Sequence, residues 1–186
     1  MSLKLSAHFF MDAPLSEWDG TAWSPLAIKG ALLTRQDEDK FRTLLVAEDA
    51  ILPSTVSVAA PSQVYLVGQD SAAVNQSIYS RAVLLRRAPL LLSIVGFVYE
   101  TAASGVQING VRTIMGTVHG DIETATFNNS KKAAGVMKGE ADVILPYDAA
   151  VGASMELEHT GKIYKIQGTS VDKGVLRCSC TVTDAP

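Results

Sequence analysis

The segment that most constrains the fold is Gly161–Val182, with the sequence GKIYKIQGTSVDKGVLRCSCTV. Apolar and polar residues alternate in its first and last parts, and a turn-rich stretch separates them. Alternation with a period of two places successive side chains on opposite faces of an extended strand. The segment therefore predicts a β-hairpin, and it carries no obvious catalytic group.

Shorter runs of the same kind fill most of the chain before residue 118. Gly, Pro and Asn residues separate these runs and mark turns. Strands are predicted at Pro25–Thr34, Val56–Val58, Val64–Val67, Ser77–Arg87 and Pro89–Thr101. Because only a turn region separates them, Ser77–Arg87 is expected to pair with Val64–Val67 as a hairpin.

Three further stretches complete the fold prediction. Phe41–Ala47 fits a helix or a strand, and Asn109-Gly110 predicts a tight hairpin turn. The most apolar run, Pro89–Val98, is far shorter than the roughly 20 residues of a membrane-spanning helix, so we interpret it as a buried strand. Together the patterns predict an all-β fold, a barrel or sandwich of antiparallel hairpins.

The chain also suggests an internal likeness. Val64–Arg86 and Ile163–Val182 both run strand, loop, strand, and both begin with an apolar residue followed by tyrosine. The likeness is loose, and the ordinary composition of hairpins explains it as well as a duplication does.

Two segments stand outside this β pattern. Residues 1–24 predict an N-terminal arm, with Trp18 and Trp23 on either side of the turn-forming pair Asp19-Gly20. The tryptophans are candidates either for docking on a partner or for capping the protein's own core. Residues 25–186 are predicted to form a single β domain. Within it, residues 119–139 are polar and glycine-spaced and predict a long internal loop of the kind that often carries function.

Composition limits the classes of function. The chain has 186 residues, of which 47% are hydrophobic, so it can bury a real core. The net charge is −3 with acids and bases mixed, which argues against a dedicated surface for DNA or membranes. The N-terminus shows no secretory signal pattern, so we expect synthesis in the cytoplasm.

The two cysteines, Cys178 and Cys180, do not indicate a metal site or a disulfide. A Cys-x-Cys pair combined with His119 or His159 is a poor match to the spacing of structural zinc ligands. On one strand the two side chains would share a face about 6–7 Å apart, which does not suit a bond between them. We expect both to pack in a core.

Motifs for catalysis are equally weak. The sequence contains neither a Gly-x-Ser-x-Gly elbow nor a phosphate-binding loop. Glu156 and Glu158 would share one strand face, and we expect them either to be solvated or to form salt bridges with Lys162 or Lys165 across a hairpin. No catalytic, cofactor or metal site is predicted, and we expect the protein not to be an enzyme.

The predicted loop contains the one basic cluster that merits a functional hypothesis. It consists of Lys131, Lys132 and Lys138, with Asn128 and Asn129 close by. Flexible lysines beside amides can contact phosphates without reading bases. The cluster is therefore a candidate DNA-facing surface, and a solvated loop without a ligand is the alternative.

A resemblance to a known family covers Lys138–Val182. Its elements are the strand containing Leu145-Pro146, Gly152 before a polar strand, Gly161 followed by Tyr164 and Ile166, and a last β run at Val175–Val182. This order of elements resembles the C-terminal half of tailed-phage head-closure proteins, also called stoppers or head–tail connectors. The resemblance spans about a quarter of the chain.

The resemblance implies a small β-barrel or sandwich in the virion that forms a ring below the portal and joins head to tail. Its implied partners are copies of itself, the portal or adaptor protein, tail proteins and double-stranded DNA bound non-specifically in the channel, with no membrane. By position, residues 119–139 would be the loop that projects into the channel. The alternatives are a tail terminator, a capsid decoration protein or, from another class, a small β-barrel enzyme or ligand-binding module.

Overall fold

The computed structural model describes residues 10–33, 40–58, 63–71, 81–105, 107–127 and 139–185. In these ranges the chain forms strands and turns without a helix, so the all-β prediction is confirmed. The strands are β1 (Phe10–Trp18), β2 (Trp23–Leu33), β3 (Phe41–Val46), β4 (Thr55–Val58), β5 (Gln63–Ser71), β6 (Arg81–Arg87), β7 (Leu90–Thr101), β8 (Gln107–Phe127), β9 (Gly139–Pro146), β10 (Glu156–His159), β11 (Lys162–Asp172) and β12 (Val175–Asp184).

The chain divides into two compact units rather than the single β domain predicted for residues 25–186. One unit comprises Met1–Pro89 with Lys173–Val175, and the other comprises Leu90–Asp172 with Leu176–Pro186. The sequence prediction differs because local strand patterns do not reveal which strands close on one another. Each half of the chain surrounds a hydrophobic core of its own.

The first unit is a closed six-stranded barrel with the order β1-β2-β3-β6-β5-β4. Antiparallel pairing of β1 with β4, including Leu15 opposite Val58, closes it. Closure removes the free edges of an open sheet. The buried core residues are Leu15, Leu32, Leu44, Val46, Val56, Val58, Tyr65, Val83 and Leu85. Each fully buried side chain of this size contributes about 1.5–3 kcal/mol to folding.

The second unit is also a closed six-stranded barrel, with the order β7-β8-β9-β12-β11-β10. Pairing of β7 with β10 closes it, and Ile94 lies opposite Leu157 at the closure. The buried core residues are Leu92, Ile94, Val118, Ala141, Val143, Leu145, Leu157, Tyr164, Ile166, Leu176, Cys178, Cys180 and Val182. The hairpin predicted at Gly161–Val182 is confirmed as β11 and β12, which are neighbours in this barrel.

The two barrels repeat one topology. When the six strands of each barrel are numbered along the chain, their order around the barrel is 1-2-3-6-5-4 in both. The likeness between Val64–Arg86 and Ile163–Val182 falls on the corresponding fifth and sixth strands. Tyr65 lies opposite Val56 in the first barrel, and Tyr164 lies opposite Leu157 in the second, and all four side chains are buried.

Backbone hydrogen bonds support this correspondence. The Val67 amide donates to the Ser54 carbonyl oxygen at 2.8 Å, and the Ile166 amide donates to the Met155 carbonyl oxygen at 2.9 Å. Each donor lies two residues after the buried tyrosine, and each acceptor lies just before the fourth strand of its barrel. The chain therefore contains two barrels with the same strand order, a buried tyrosine at the corresponding position and the same backbone hydrogen bond.

The predicted N-terminal arm is wrong for the residues that the structure describes between 10 and 24. Phe10–Trp18 forms β1, and Trp23 begins β2. Leu15 is buried and pairs across the barrel closure, so this segment is integral to the first core. The ambiguous stretch at Phe41–Ala47 is a strand through Val46, because its side chains from Leu44 onward are buried in the same core.

The predicted long loop is wrong at its ends. His119–Phe127 belongs to β8, and Gly139 begins β9, while residues 128–138 lie outside the described part of the chain. The prediction followed the polar composition, but Asp121 and the residues after it pair with β9, with one register shift between Ile122 and Thr124. The turn predicted at Asn109-Gly110 is also wrong. Gly110 lies inside β8, opposite Tyr99, because the ladder with β7 continues past it.

Candidate interaction surface

Strands β7 and β8 continue past the second barrel as a two-stranded extension. Strand β10 pairs with β7 only at Ser93–Val95, and β9 pairs with β8 only from Asp121 onward. Between these points and the turn after Thr101, the ladder recorded in the described residues is that of β7 with β8 alone. We call residues 96–101 and 107–115 the ribbon.

The ribbon displays apolar side chains to solvent. Six of its large side chains are between 39% and 64% exposed: Phe97, Val98, Tyr99, Val111, Ile114 and Met115. Scattered single hydrophobic residues are normal on a protein surface, but a contiguous patch marks an interaction site or a ligand groove. These six residues are neighbours along two paired strands and form an apolar patch on each face of the ribbon.

Strand geometry gives both faces of the ribbon apolar character. Directly opposed residues of an antiparallel pair share a face, and successive residues alternate between faces. Val98 lies opposite Val111, so these two share a face. Phe97 and Tyr99 project from the other face, together with Ile114, which lies opposite Val95.

Gly110 shapes the face that carries Tyr99. A β-carbon added to Gly110 would lie 2.7 Å from Cε1 of Tyr99, so the tyrosine ring covers the glycine. The missing side chain allows the ring to lie flat on the ribbon backbone. Although Asn109-Gly110 suggested a turn, the glycine accommodates an aromatic side chain across the ladder.

Arg112 holds the base of the ribbon. Its Nε donates to Glu156 Oε2 at 2.9 Å and its Nη2 donates to Glu158 Oε1 at 2.5 Å. The hydrogen bonds that Arg112 donates to Glu158, and then to Glu156, raise the pKa of Arg112 above its usual range. The sequence pointed to Lys162 or Lys165 as partners of these carboxylates. The structure pairs both with Arg112, whose planar guanidinium reaches two acceptors on β10 at once.

The two glutamates of β10 outnumber the single positive charge of Arg112, so the base of the ribbon is not basic. Glu100 and Arg112 are the charged residues of the ribbon, and the two glutamates of β10 already engage the arginine. A surface that binds nucleic acid carries clustered basic residues that remain available to phosphates. The ribbon therefore favours apolar contact with protein.

Trp18 and Trp23 lie opposite each other at the end of the β1–β2 hairpin of the first barrel. Their ring centroids are 5.3 Å apart with a tilt of 51°. Asp19 Oδ1 accepts hydrogen bonds from the amides of Ala22 and Thr21, each at 2.7 Å, and these bonds lower the pKa of Asp19. The tryptophans thus pack on each other across an ordered turn, and docking on a partner stays a prediction.

The basic cluster predicted to face DNA falls in a segment that the structure does not describe. Asn128, Asn129, Lys131, Lys132 and Lys138 all lie within residues 128–138. Their role stays a prediction.

Cys178 and Cys180 pack in the core of the second barrel, as expected. Both are buried free thiols. Burial raises the pKa of Cys178 to about 11 and that of Cys180 to about 12, and the Cys178 thiol and Asp142 add to the second shift. Because the thiolate is the reactive form, these cysteines are chemically inert in the folded protein.

His119 and His159 lie on β8 and β10 of the second barrel. His119 is buried in β8, and burial lowers its pKa. The Nδ1 atom of His159 lies 3.1 Å from the carbonyl oxygen of Leu91. Among the residues that the structure describes, there is no group of three His, Cys, Asp or Glu side chains that could hold a metal ion.

Two shallow clefts lie on the second barrel. One, of about 310 Å³, includes Asp142, Gln167 and Ser179 in its lining. The other, of about 300 Å³, lies beside the β10–β11 turn. In the first cleft Asp142 accepts hydrogen bonds from Ser179 at 3.3 Å and from Arg177 at 3.2 Å. These polar groups satisfy one another, which is the arrangement of a structural surface network.

No described helix is long and apolar enough to span a bilayer.

The elements that carry the family resemblance all lie in the second barrel's strands and connections. Leu145-Pro146 ends β9, Gly152 lies in the β9–β10 connection, and Tyr164 and Ile166 are buried on β11. They thus serve the barrel core, which is why their order alone predicts architecture better than activity. None of the family models, curated proteins and solved structures compared with the chain matches it.

Proposed function

We propose that the chain is a structural protein of the tailed-phage neck, either stopper or adaptor. In this role copies form a ring that joins the portal to the tail and helps to close the DNA channel. The protein acts through contacts rather than catalysis, and it resides in the virion after synthesis in the host cytoplasm. The observation that carries the proposal is the exposed apolar ribbon on a closed barrel. The resemblance of Lys138–Val182 to head-closure proteins supplies the location.

The scaffold suits a ring subunit. A closed barrel fixes the position of its surface segments, because its strands are paired on both sides. A protruding segment that contacts the next copy makes a head-to-tail interface, and such interfaces close into rings when the rotation allows it. Each contact can then be modest, since closure multiplies the contacts.

The partners in this proposal are further copies of the chain, the portal or adaptor protein on the head side and tail proteins on the other side. Double-stranded DNA in the channel would meet the basic cluster non-specifically through its phosphates. Exchanging Lys131 and Lys132 together for Glu tests this last part. Particles that carry the change should assemble and lose their genome, as measured by encapsidated DNA per particle. Normal DNA retention would contradict a DNA-facing role.

Electron microscopy of native particles tests the proposal as a whole. Labelled copies should form a single ring on the particle axis between head and tail. A ring at the far end of the tail would indicate a tail terminator, and copies spread over the capsid lattice would indicate a decoration protein. A purified chain that binds neither portal nor tail protein and is absent from particles would refute the proposal.

A further inference from the structure

We infer that the ribbon is the surface through which one copy of the chain binds a second copy. The inference rests on the proposal that the protein is an assembly subunit, and it names the surface that performs the assembly. The ribbon is defined by residues 96–101 of β7 and 107–115 of β8.

The size of the patch fits a protein interface. Because a large side chain has on the order of 150–250 Å² of surface, the six exposed ribbon side chains together present on the order of 500–600 Å². Counted over the two faces, that total is comparable to the largest apolar patch on a typical monomer, about 300–600 Å², so a partner covers it fully only by contacting both faces. A contact to which each copy contributes such an area buries on the order of 1,000–1,200 Å² in total, near the lower end of specific interfaces.

The first barrel shows that closing this topology does not require the ribbon. Its β1–β2 hairpin turns at Asp19–Ala22, directly after the paired Trp18 and Trp23. The corresponding β7–β8 hairpin runs through six further residues of β7 beyond the last one that pairs with β10. A costly exposed extension that the fold does not need is explained by contact with a partner.

Charge argues against nucleic acid as that partner. The ribbon has one cation, Arg112, which two glutamates already engage, and its other charged residue is Glu100. Backbone phosphates would find no available cluster of basic side chains there. The exposed apolar side chains of the ribbon can instead pack against the same side chains of another copy.

The position of the apolar residues argues against a membrane. A loop that inserts into lipid carries its apolar side chains at the tip. Here the residues around the turn include the polar Glu100, Thr101 and Ser104 and the apolar Val106, while the six exposed large apolar side chains lie along the shaft. Exposed apolar residues along the shaft suit burial against the ribbon of a second copy.

The backbone of the ribbon adds a second means of contact. In the described residues, Gly96–Thr101 pairs on one side only, with β8. An exposed strand edge is a template for pairing with another chain, and proteins use it for specific strand addition. The same segment thus offers both an apolar patch and open hydrogen-bonding groups to a neighbour.

The test compares the full-length chain with charged variants on each face of the ribbon. Val98→Asp and Ile114→Asp place a carboxylate in the two faces, and both positions are exposed in the subunit, so neither should disturb its core. Val171→Asp, at a site 69% exposed on β11, is the matched control. Sedimentation velocity over a concentration series should show self-association of the wild type. We expect the ribbon variants to weaken it by about tenfold or more, as for central interface residues, and the control to leave it unchanged.

Far-UV circular dichroism and thermal unfolding establish that each variant is folded, and Val98→Thr provides a near-isosteric change should Val98→Asp unfold. Wild-type protein that stays monomeric overturns the inference. If that monomer sediments with phosphatidylcholine–phosphatidylglycerol vesicles, the ribbon binds lipid. Self-association that the ribbon variants leave intact also overturns it.

The outcome separates this inference from the proposed function. Wild-type rings that persist in the ribbon variants refute the role of the ribbon and leave the neck proposal standing. A stable dimer that dissociates in the ribbon variants, with no rings by negative-stain microscopy and no ring in particles, supports the ribbon and refutes the neck proposal.

Discussion

Replacing Gly120 by alanine should destabilise the second barrel strongly. Gly120 is buried in β8, and an added β-carbon would lie 2.7 Å from the backbone oxygen of Ile144. It would also lie 2.8 Å from Cδ1 of Leu92 and 2.9 Å from Cδ2 of Leu145. The leucine side chains can shift, but the carbonyl oxygen belongs to β9 and moves only if the β8–β9 ladder moves.

The expected cost is about 3 kcal/mol, at the upper end of the range for overpacking a core. Urea unfolding followed by circular dichroism measures it through the shift in midpoint at unchanged slope. Gly116→Ala is the matched control, since the same strand carries it and no atom lies within 4 Å of the added carbon. We expect that variant to match the wild type or to gain up to about 1 kcal/mol, because alanine restricts the unfolded chain. A Gly120→Ala protein within about 0.5 kcal/mol of the wild type would refute the close approach of the two strands, since surface substitutions vary by that much.

Three further predictions follow from the second barrel. Leu157→Ala should cost about 2–5 kcal/mol in urea unfolding, because Leu157 is fully buried at the β7–β10 closure; a loss below about 1 kcal/mol would contradict that packing. Cys178 and Cys180 should not react with a thiol reagent at pH 8 in the folded protein, because their pKa values are about 11 and about 12, and both should react in denaturant. Burial lowers the pKa of His119 in the folded protein. Below the unfolded value of about 6.5, the unfolded chain therefore binds a proton that the folded chain does not. The free energy of unfolding then decreases as the pH is lowered. His119→Gln should flatten the dependence between pH 7 and 5, and an unaltered slope would show that other groups cause it.

Local patterns predicted the strands where one face is buried and the other is solvated. In β11 Tyr164 and Ile166 point into the core and Lys165 is exposed, so alternation was visible in the sequence. Closure of the barrels was not visible, because pairing of Leu15 with Val58 joins residues far apart in the chain and no local pattern encodes it. For the same reason the sequence did not predict the division into two units.

The sequence patterns did not predict the ribbon, because its residues have ordinary strand composition. Phe97, Val98 and Tyr99 are consecutive apolar residues, which favours a strand buried on both faces, whereas the structure exposes all three. Only the end of the pairing with β10 at Val95 distinguishes core strand from extension. The Asn109-Gly110 pair is a strong local turn pattern, but in the structure Gly110 lies opposite Tyr99 in the continuing ladder and accommodates the tyrosine ring.

The repeated topology gives this polypeptide a sorting problem while it folds, since each strand has a counterpart that could take its place in the wrong barrel. The fourth strands show how the chain answers it. Thr55 and Ser57 are buried on β4, and the corresponding residues of β10 are Glu156 and Glu158, which share the guanidinium of Arg112. Exchanging these strands would place two carboxylates in sites built for hydroxyls and leave the arginine behind, a mispairing that the cost of desolvating charge rejects. Side chains outside the two cores thus guide each strand to its own half of the molecule.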